Sequence, residues 1–222
     1  MALTIQLTTL QDRTPSESEI MYESNDLRLR GMHILDLQFS IGVPEHITCL
    51  DLTGNKLQQI PSAVFDCMHL RCLILSHNKI TEIPRNINML TALYQLELYT
   101  NRLTHISPNI RDCRELGYIN LAHNRLKTVP EEISTLPNLT HVYVHDNRLE
   151  SFAKLREFLE RNLHSLCLSG NPLTSDITRA HMNPNNIKVL KFWFRRRWIF
   201  MYFGIALRCN ACVLMSLVNT MH

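Results

Sequence analysis

The sequence predicts an α/β repeat solenoid: a curved stack of short units with a parallel β-sheet on its concave side and an irregular helical or extended convex side. Three observations predict it. An asparagine returns every 23 residues at Asn55, Asn78, Asn101, Asn124 and Asn147, and Asn171 follows after 24. An apolar frame surrounds each one, first as Ile47, Leu50, Leu52 and Leu57, then in the same places as Leu70, Leu73, Leu75 and Ile80. The return path of most units carries an apolar residue before proline, as in Ile60-Pro61, Ile83-Pro84 and Val129-Pro130, with Ile106-Ser107-Pro108 as a shifted variant.

Each feature has a physical reason. A unit this short cannot bury its own apolar face, so it stacks on its neighbours and builds one continuous core. Residues of the Leu50 and Leu52 type point inward from a short strand, and those between them point to solvent. The asparagine sits where the chain turns out of that strand. Its amide can pair with backbone groups that would otherwise be buried and unsatisfied, so the ladder asparagines are assigned to the scaffold. On the return path, Val64 and Met68, Ile87 and Leu90, Ile110 and Cys113, and Ile133 and Leu136 recur at helical spacing. Proline fits the start of such a turn, where no backbone donor is needed.

The frame resembles the leucine-rich repeat, L-x-x-L-x-L-x-x-N-x-L, over about residues 24–176. The resemblance implies a horseshoe. The 23-residue period with its Ile-Pro pairs is similar to the intracellular repeats of Ras-suppressor-like scaffold proteins. That similarity implies a non-catalytic protein–protein interaction scaffold or signalling adaptor, or else a regulatory subunit of a signalling enzyme.

Taken in order, residues 1–23 read as a flexible polar leader, rich in Ser, Thr and Glu around Asp12–Glu19. Residues 24–176 form the solenoid of about seven repeats. The first is degenerate, because Leu27, Leu29 and Ile34 keep the frame while Met32 replaces asparagine. Residues 152–159 have helical spacing and account for the 24-residue step to Asn171. Residues 177–222 are a basic, aromatic and hydrophobic cap and tail, with a helix expected near Ile187–Phe194.

The net charge of +3 hides an asymmetry: all 20 acids and 16 of the 23 bases precede residue 177, and the tail holds seven bases and no acid. The acidic solenoid argues against broad nucleic-acid binding. Seven scattered cysteines, and an N-terminus without a basic n-region, point to a reducing, cytoplasmic compartment.

The tail packs Phe192, Trp193, Phe194, Trp198, Phe200, Tyr202 and Phe203 around Arg195, Arg196 and Arg197. Residues 198–218 have the length of a bilayer span with interfacial aromatics at one end. Arg208 at the centre of that span costs about 2.5–3.5 kcal/mol on insertion scales. Three readings stay open: an anchor on the cytosolic face of a membrane, an interfacial or partner-covered segment, and a tail packed on the last repeat. Trp193, Arg195–Arg197, Trp198, Phe200, Tyr202 and Phe203 are the candidate membrane-associating residues. Cys209-x-x-Cys212 is a lone pair, equally compatible with palmitoylation and redox chemistry.

The outward positions of the strands can be read directly, and tyrosine and histidine concentrate in the third to fifth asparagine repeats. Tyrosine offers large contact area and a polar tip at low entropic cost. The candidate partner-binding residues are therefore Glu97, Tyr99, Tyr118, Asn120, His123, His141, Tyr143, His145 and Asp146. The same residues also fit an ordinary solvated sheet face. His141 and His145 stand four apart on an extended strand, roughly 13 Å, too far to share an ion. His123 and Asp146 occupy one slot in adjacent repeats and can pair, but two ligands make a poor metal site, and no metal or cofactor is assigned. The chain contains no G-x-S-x-G, P-loop, kinase set or H-E-x-x-H, so no enzyme activity and no small-molecule substrate are expected.

Overall fold

A computed structural model describes residues 4–9, 21–23, 25–41, 46–151, 163–173, 190–194 and 197–201. The strands in chain order are β1 (Thr4–Thr9), β2 (Met21–Glu23), β3 (Asp26–Arg28), β4 (Ile34–Ile41), β5 (Cys49–Asp51), β6 (Cys72–Ile74) and β7 (Glu82–Ile83). They continue as β8 (Gln95–Glu97), β9 (His105–Ile106), β10 (Tyr118–Asn120), β11 (His141–Tyr143), β12 (Ser165–Cys167), β13 (Leu190–Phe194) and β14 (Arg197–Met201).

Strands β3, β5, β6, β8, β10, β11 and β12 pair in parallel, each in register with the next by one repeat: Leu50 faces Leu73, Leu73 faces Leu96, and Ile119 faces Val142. Their central residues are 0–3% exposed. Burying each such side chain contributes about 1.5–3 kcal/mol, which is why a three-residue strand suffices when the next repeat covers it.

Among the described residues the convex side carries 3-10 turns at Ser62–Asp66, Arg85–Met89, Pro108–Asp112 and Glu131–Thr135, and β7 pairs in parallel with β9. Pro61, Pro84 and Pro130 stand at the N-caps, and Pro108 opens the third turn. The helical spacing predicted there is correct at every pair but one. Met68 is 58% exposed, and the buried partner of Val64 is Cys67. Cys67, Leu90, Cys113 and Leu136 form the true 23-residue column.

The asparagines explain how neighbouring repeats lock. Asn124 accepts the Leu103 N–H at 2.9 Å and donates to Leu98 O at 2.9 Å and Leu121 O at 3.0 Å. Asn78, Asn101, Asn147 and Asn171 repeat that pattern. Each therefore bridges its own turn to the preceding repeat. Asn55 meets the degenerate first unit, accepting from both Met32 N and Ile34 N.

Both ends depart from expectation. Thr4–Thr9, inside the stretch read as a polar leader, pairs antiparallel with β4, setting Leu7 opposite Leu37. Leu7 and Phe39 pack against the core. Strand β2 adds antiparallel to β3 and covers that sheet edge. At the other end Leu190–Phe194 is a strand, not a helix. It pairs with β12 through Lys191 opposite Cys167, and with β14 as an antiparallel hairpin. Aromatic residues favour a pleated surface, and a short apolar run carries no period that separates helix from strand. The helix expected over 152–159 lies outside the described residues.

Candidate functional site

Along the concave face, chemistry changes from one end to the other. The first units carry charge: Arg30 pairs with the buried Asp51, whose carboxylate also accepts the Thr53 N–H at 2.9 Å, and Arg28 pairs with Asp26 at 3.3 Å. Cys49 stands opposite Cys72 on the neighbouring strand. The interaction of the two thiols pulls that of Cys49 down from its ordinary value and pushes that of Cys72 up.

Beyond β8 the face becomes aromatic. Tyr118 lies 5.5 Å from Tyr143 and 5.9 Å from His141, centroid to centroid. His141 stacks in turn on His164 at 5.5 Å with an interplanar angle of 8°. Parallel in-register pairing places Tyr118 beside His141 and Asn120 beside Tyr143, so these contacts follow from the repeat itself. His141 Nδ1 also lies 2.9 Å from Thr140 Oγ1. Burial, with His164 adding to it, holds the His141 imidazole below the ordinary histidine value.

The predicted residues divide into groups. Tyr118, His141 and Tyr143 form the aromatic cluster. Tyr99 turns instead to His77, with its hydroxyl 2.9 Å from Nε2 and the rings edge to face at 4.7 Å. Glu97 is held by Gln95 Nε2 at 2.6 Å. Asn120 accepts the Ala122 N–H at 3.2 Å. His123, His145 and Asp146 gather at the rim. The His123 ring meets His145 edge to face at 5.2 Å, and its Nδ1 lies 3.6 Å from the Asp146 carboxylate. Burial pushes the His145 imidazole below the ordinary value; Asp146 opposes the shift and His123 adds to it. His77 and His164 belong with these groups although sequence reasoning left them out.

The residue before each asparagine has left-handed backbone. Gly31, Gly54 and Gly170 fill that slot in some units, at φ of 67°, 73° and 67°, but His77, Thr100, His123 and Asp146 hold it at 57°, 56°, 54° and 52°. Glycine adopts this conformation without steric cost, whereas other residues do so at roughly 1–2 kcal/mol. Side chains are thus kept at this rim where glycine would be easier.

Of the candidate membrane-associating residues, Trp193 lies on β13 and Arg197, Trp198 and Phe200 on β14, while Arg195, Arg196, Tyr202 and Phe203 lie outside the described residues. Among the described residues no helix is long and apolar enough to cross a membrane. On the convex side a groove of about 530 Å³ is lined by Glu82, Arg85, His105, Ser107 and Asn109 among others. Ser107 Oγ accepts the Asn109 N–H there as a cap.

Comparison with known proteins agrees with the architecture. The leucine rich repeat family model matches residues 45–103 and 91–149. No curated protein matches the sequence. Among solved structures, the functional domain of InlJ from Listeria monocytogenes superposes with a TM-score of 0.57 at 24% identity, over 68% of this chain and 31% of that one. YopM from Yersinia enterocolitica gives 0.52 at 22%, over 67% and 29%. The plant peptide hormone receptor RGFR1, solved in complex with RGF2, gives 0.52 at 33%, over 59% and 22%. The chain thus matches less than a third of the length of each. Repeats of this kind form extended concave surfaces used for binding. With the asparagine ladder, the parallel concave sheet and the matched repeats together, the chain carries leucine-rich repeats, matched over residues 45–149.

Proposed function

We propose that this protein is a non-catalytic interaction scaffold that binds a protein partner through the aromatic half of its concave face. The observation that carries the reading is the ring cluster of Tyr118, Tyr143, His141 and His164, which spans β10, β11 and the residue before β12 and remains partly open to solvent. A rigid, prearranged aromatic surface loses little entropy on binding, so more of its contact energy appears as affinity. Tyrosine is among the residues that dominate such interfaces. The RGFR1 relative, solved in complex with RGF2, supports the use of this fold for partner capture. Cys49, Cys67, Cys72 and Cys113 carry unbridged thiols, which supports a reducing compartment such as the cytoplasm.

The test is affinity capture followed by quantitative mass spectrometry, comparing wild type with Tyr118→Ala/Tyr143→Ala. The reading predicts at least tenfold loss of the enriched partner from an array that still folds. Equal recovery by the two proteins contradicts the assigned face.

A second reading rests on the tail. The β13–β14 hairpin carries Trp193, Trp198 and Phe200 beside Arg197, a composition suited to a membrane surface. Carbonate extraction of the full chain and of a version ending at Asp176 tests it. Retention of the full chain alone supports an anchored adaptor, and release of both contradicts it.

A further inference from the structure

We infer that His123, His145 and Asp146 form a binding site for one divalent transition-metal ion of the Zn2+ type, with a fourth coordination position open on the concave face. This inference goes beyond partner binding and does not depend on it.

One potential ligand atom from each residue lies within 4.8 Å of the other two. A tetrahedral zinc site with bonds of about 2.0–2.1 Å separates its ligands by about 3.4 Å. The required contraction is at most about 1.4 Å on that geometry, within reach of side-chain rotation. Two of the three side chains are free to make it, since those of His123 and Asp146 are 53% and 49% exposed. His145 is the half-buried anchor.

Three further observations point to a ligand. His145 Nδ1 is buried without a hydrogen-bond partner, so the imidazole is not committed through that nitrogen to the scaffold, and an unpaired buried polar atom costs free energy. His123 and Asp146 both occupy left-handed slots that glycine fills in other repeats, and backbone strain of this kind collects at functional sites. Finally, the Asp146 carboxylate lies over Gly170, where an added Cβ would come within 2.1 Å of its Oδ1. The glycine leaves that space to the carboxylate.

Two imidazoles and one carboxylate suit zinc and its neighbours in the first transition series. Calcium and magnesium need six or more oxygen ligands, and the site offers one carboxylate. Three protein ligands with an open fourth position would leave water, or a side chain of a bound protein, to complete the ion.

The experiment uses the full chain, stripped with chelator and kept reduced, titrated with Zn2+ against a chromophoric competitor and with Co2+ by absorption. His123→Asn/Asp146→Asn is the test variant, because asparagine tolerates left-handed backbone. Cys49→Ser/Cys72→Ser is the control for thiol binding. The site predicts one equivalent bound by wild type and by the cysteine variant, with a Co2+ spectrum free of thiolate charge-transfer absorption. The test variant should lose that equivalent or weaken it at least tenfold while its circular dichroism is unchanged. If the double variant misfolds, Asp146→Asn alone is read in its place. No ion bound by wild type, unchanged binding by the test variant, or loss in the cysteine variant alone overturns the inference.

Discussion

Tyr118 and Tyr143 stand one repeat and two strand positions apart, yet their ring centroids are 5.5 Å from each other. The contact exists because β10 and β11 pair in parallel with Asn120 beside Tyr143, so side chains at diagonal positions come within reach of long rings. Both tyrosines lie on the solvent side of the sheet, away from the core. Tyr118→Ala and Tyr143→Ala should each lower stability by less than about 1.5 kcal/mol, with a coupling of about 0.5–1.5 kcal/mol in a double-mutant cycle. Urea denaturation measures this. Losses of about 2–5 kcal/mol, as for truncating core leucines, would place these rings in the scaffold.

The asparagine ladder makes the opposite prediction. Asn124→Ala removes four hydrogen bonds and leaves the Leu103 N–H buried without its acceptor. The expected loss is about 2–4 kcal/mol, given about 1–3 kcal/mol for each orphaned buried group. Asn138→Ala, at an exposed site bonded to Arg114 O, should cost less than about 1 kcal/mol. Equal denaturation midpoints for the two variants would refute the ladder's role.

The thiols should alkylate in a fixed order. The neighbouring Cys72 thiol lowers that of Cys49 against the opposing effect of burial, so more of Cys49 is thiolate near neutral pH. Burial raises Cys67 and Cys113 to about 12, leaving them almost wholly protonated. Among Cys49, Cys67, Cys72 and Cys113, iodoacetamide labelling of the folded protein, read by mass spectrometry, should modify Cys49 first and Cys67 and Cys113 last. Cys72→Ala should slow labelling at Cys49. Faster labelling of Cys113 than Cys49 would contradict the arrangement.

His141 should titrate below the ordinary histidine value in an NMR pH series, chiefly through burial and secondarily through His164. His164→Ala should raise the midpoint, because it removes the neighbouring charge and part of the cover. The sign for stability follows: the unfolded chain takes the proton first. This contribution is complete above about pH 6.5 and is lost as pH falls through the unfolded value toward the lower folded one. A His141 midpoint above the ordinary value would contradict the stacked, half-buried placement.

The solenoid was legible because its signal is redundant. Leu50, Leu73, Leu96 and Ile119 occupy one position in successive frames, and one misplaced residue, Met68 for Cys67, did not disturb the register. The rim cluster was only half legible. Pairing of His123 with Asp146 followed from their common slot, but His145 was weighed only against His141 along its own strand. Neighbouring strands are about 4.8 Å apart whereas two residues along a strand span about 6.6 Å, so the histidine nearest His145 is His123 in the adjacent repeat. The ends were misread for a different reason. Thr4–Thr9 and Leu190–Phe194 stand outside the repeat, where composition was the only guide and long-range pairing decides.

A partner seated on the aromatic half of the concave face brings its own side chains within a few ångströms of β8 and β10. Site-specific photocrosslinking tests it most directly, with the probe placed at residue 97 or 120 on the concave side and at residue 109 or 138 on the convex side. One protein adduct is expected from both concave positions, suppressed by Tyr118→Ala/Tyr143→Ala, and none shared with the convex pair. An adduct from the convex positions alone would contradict it.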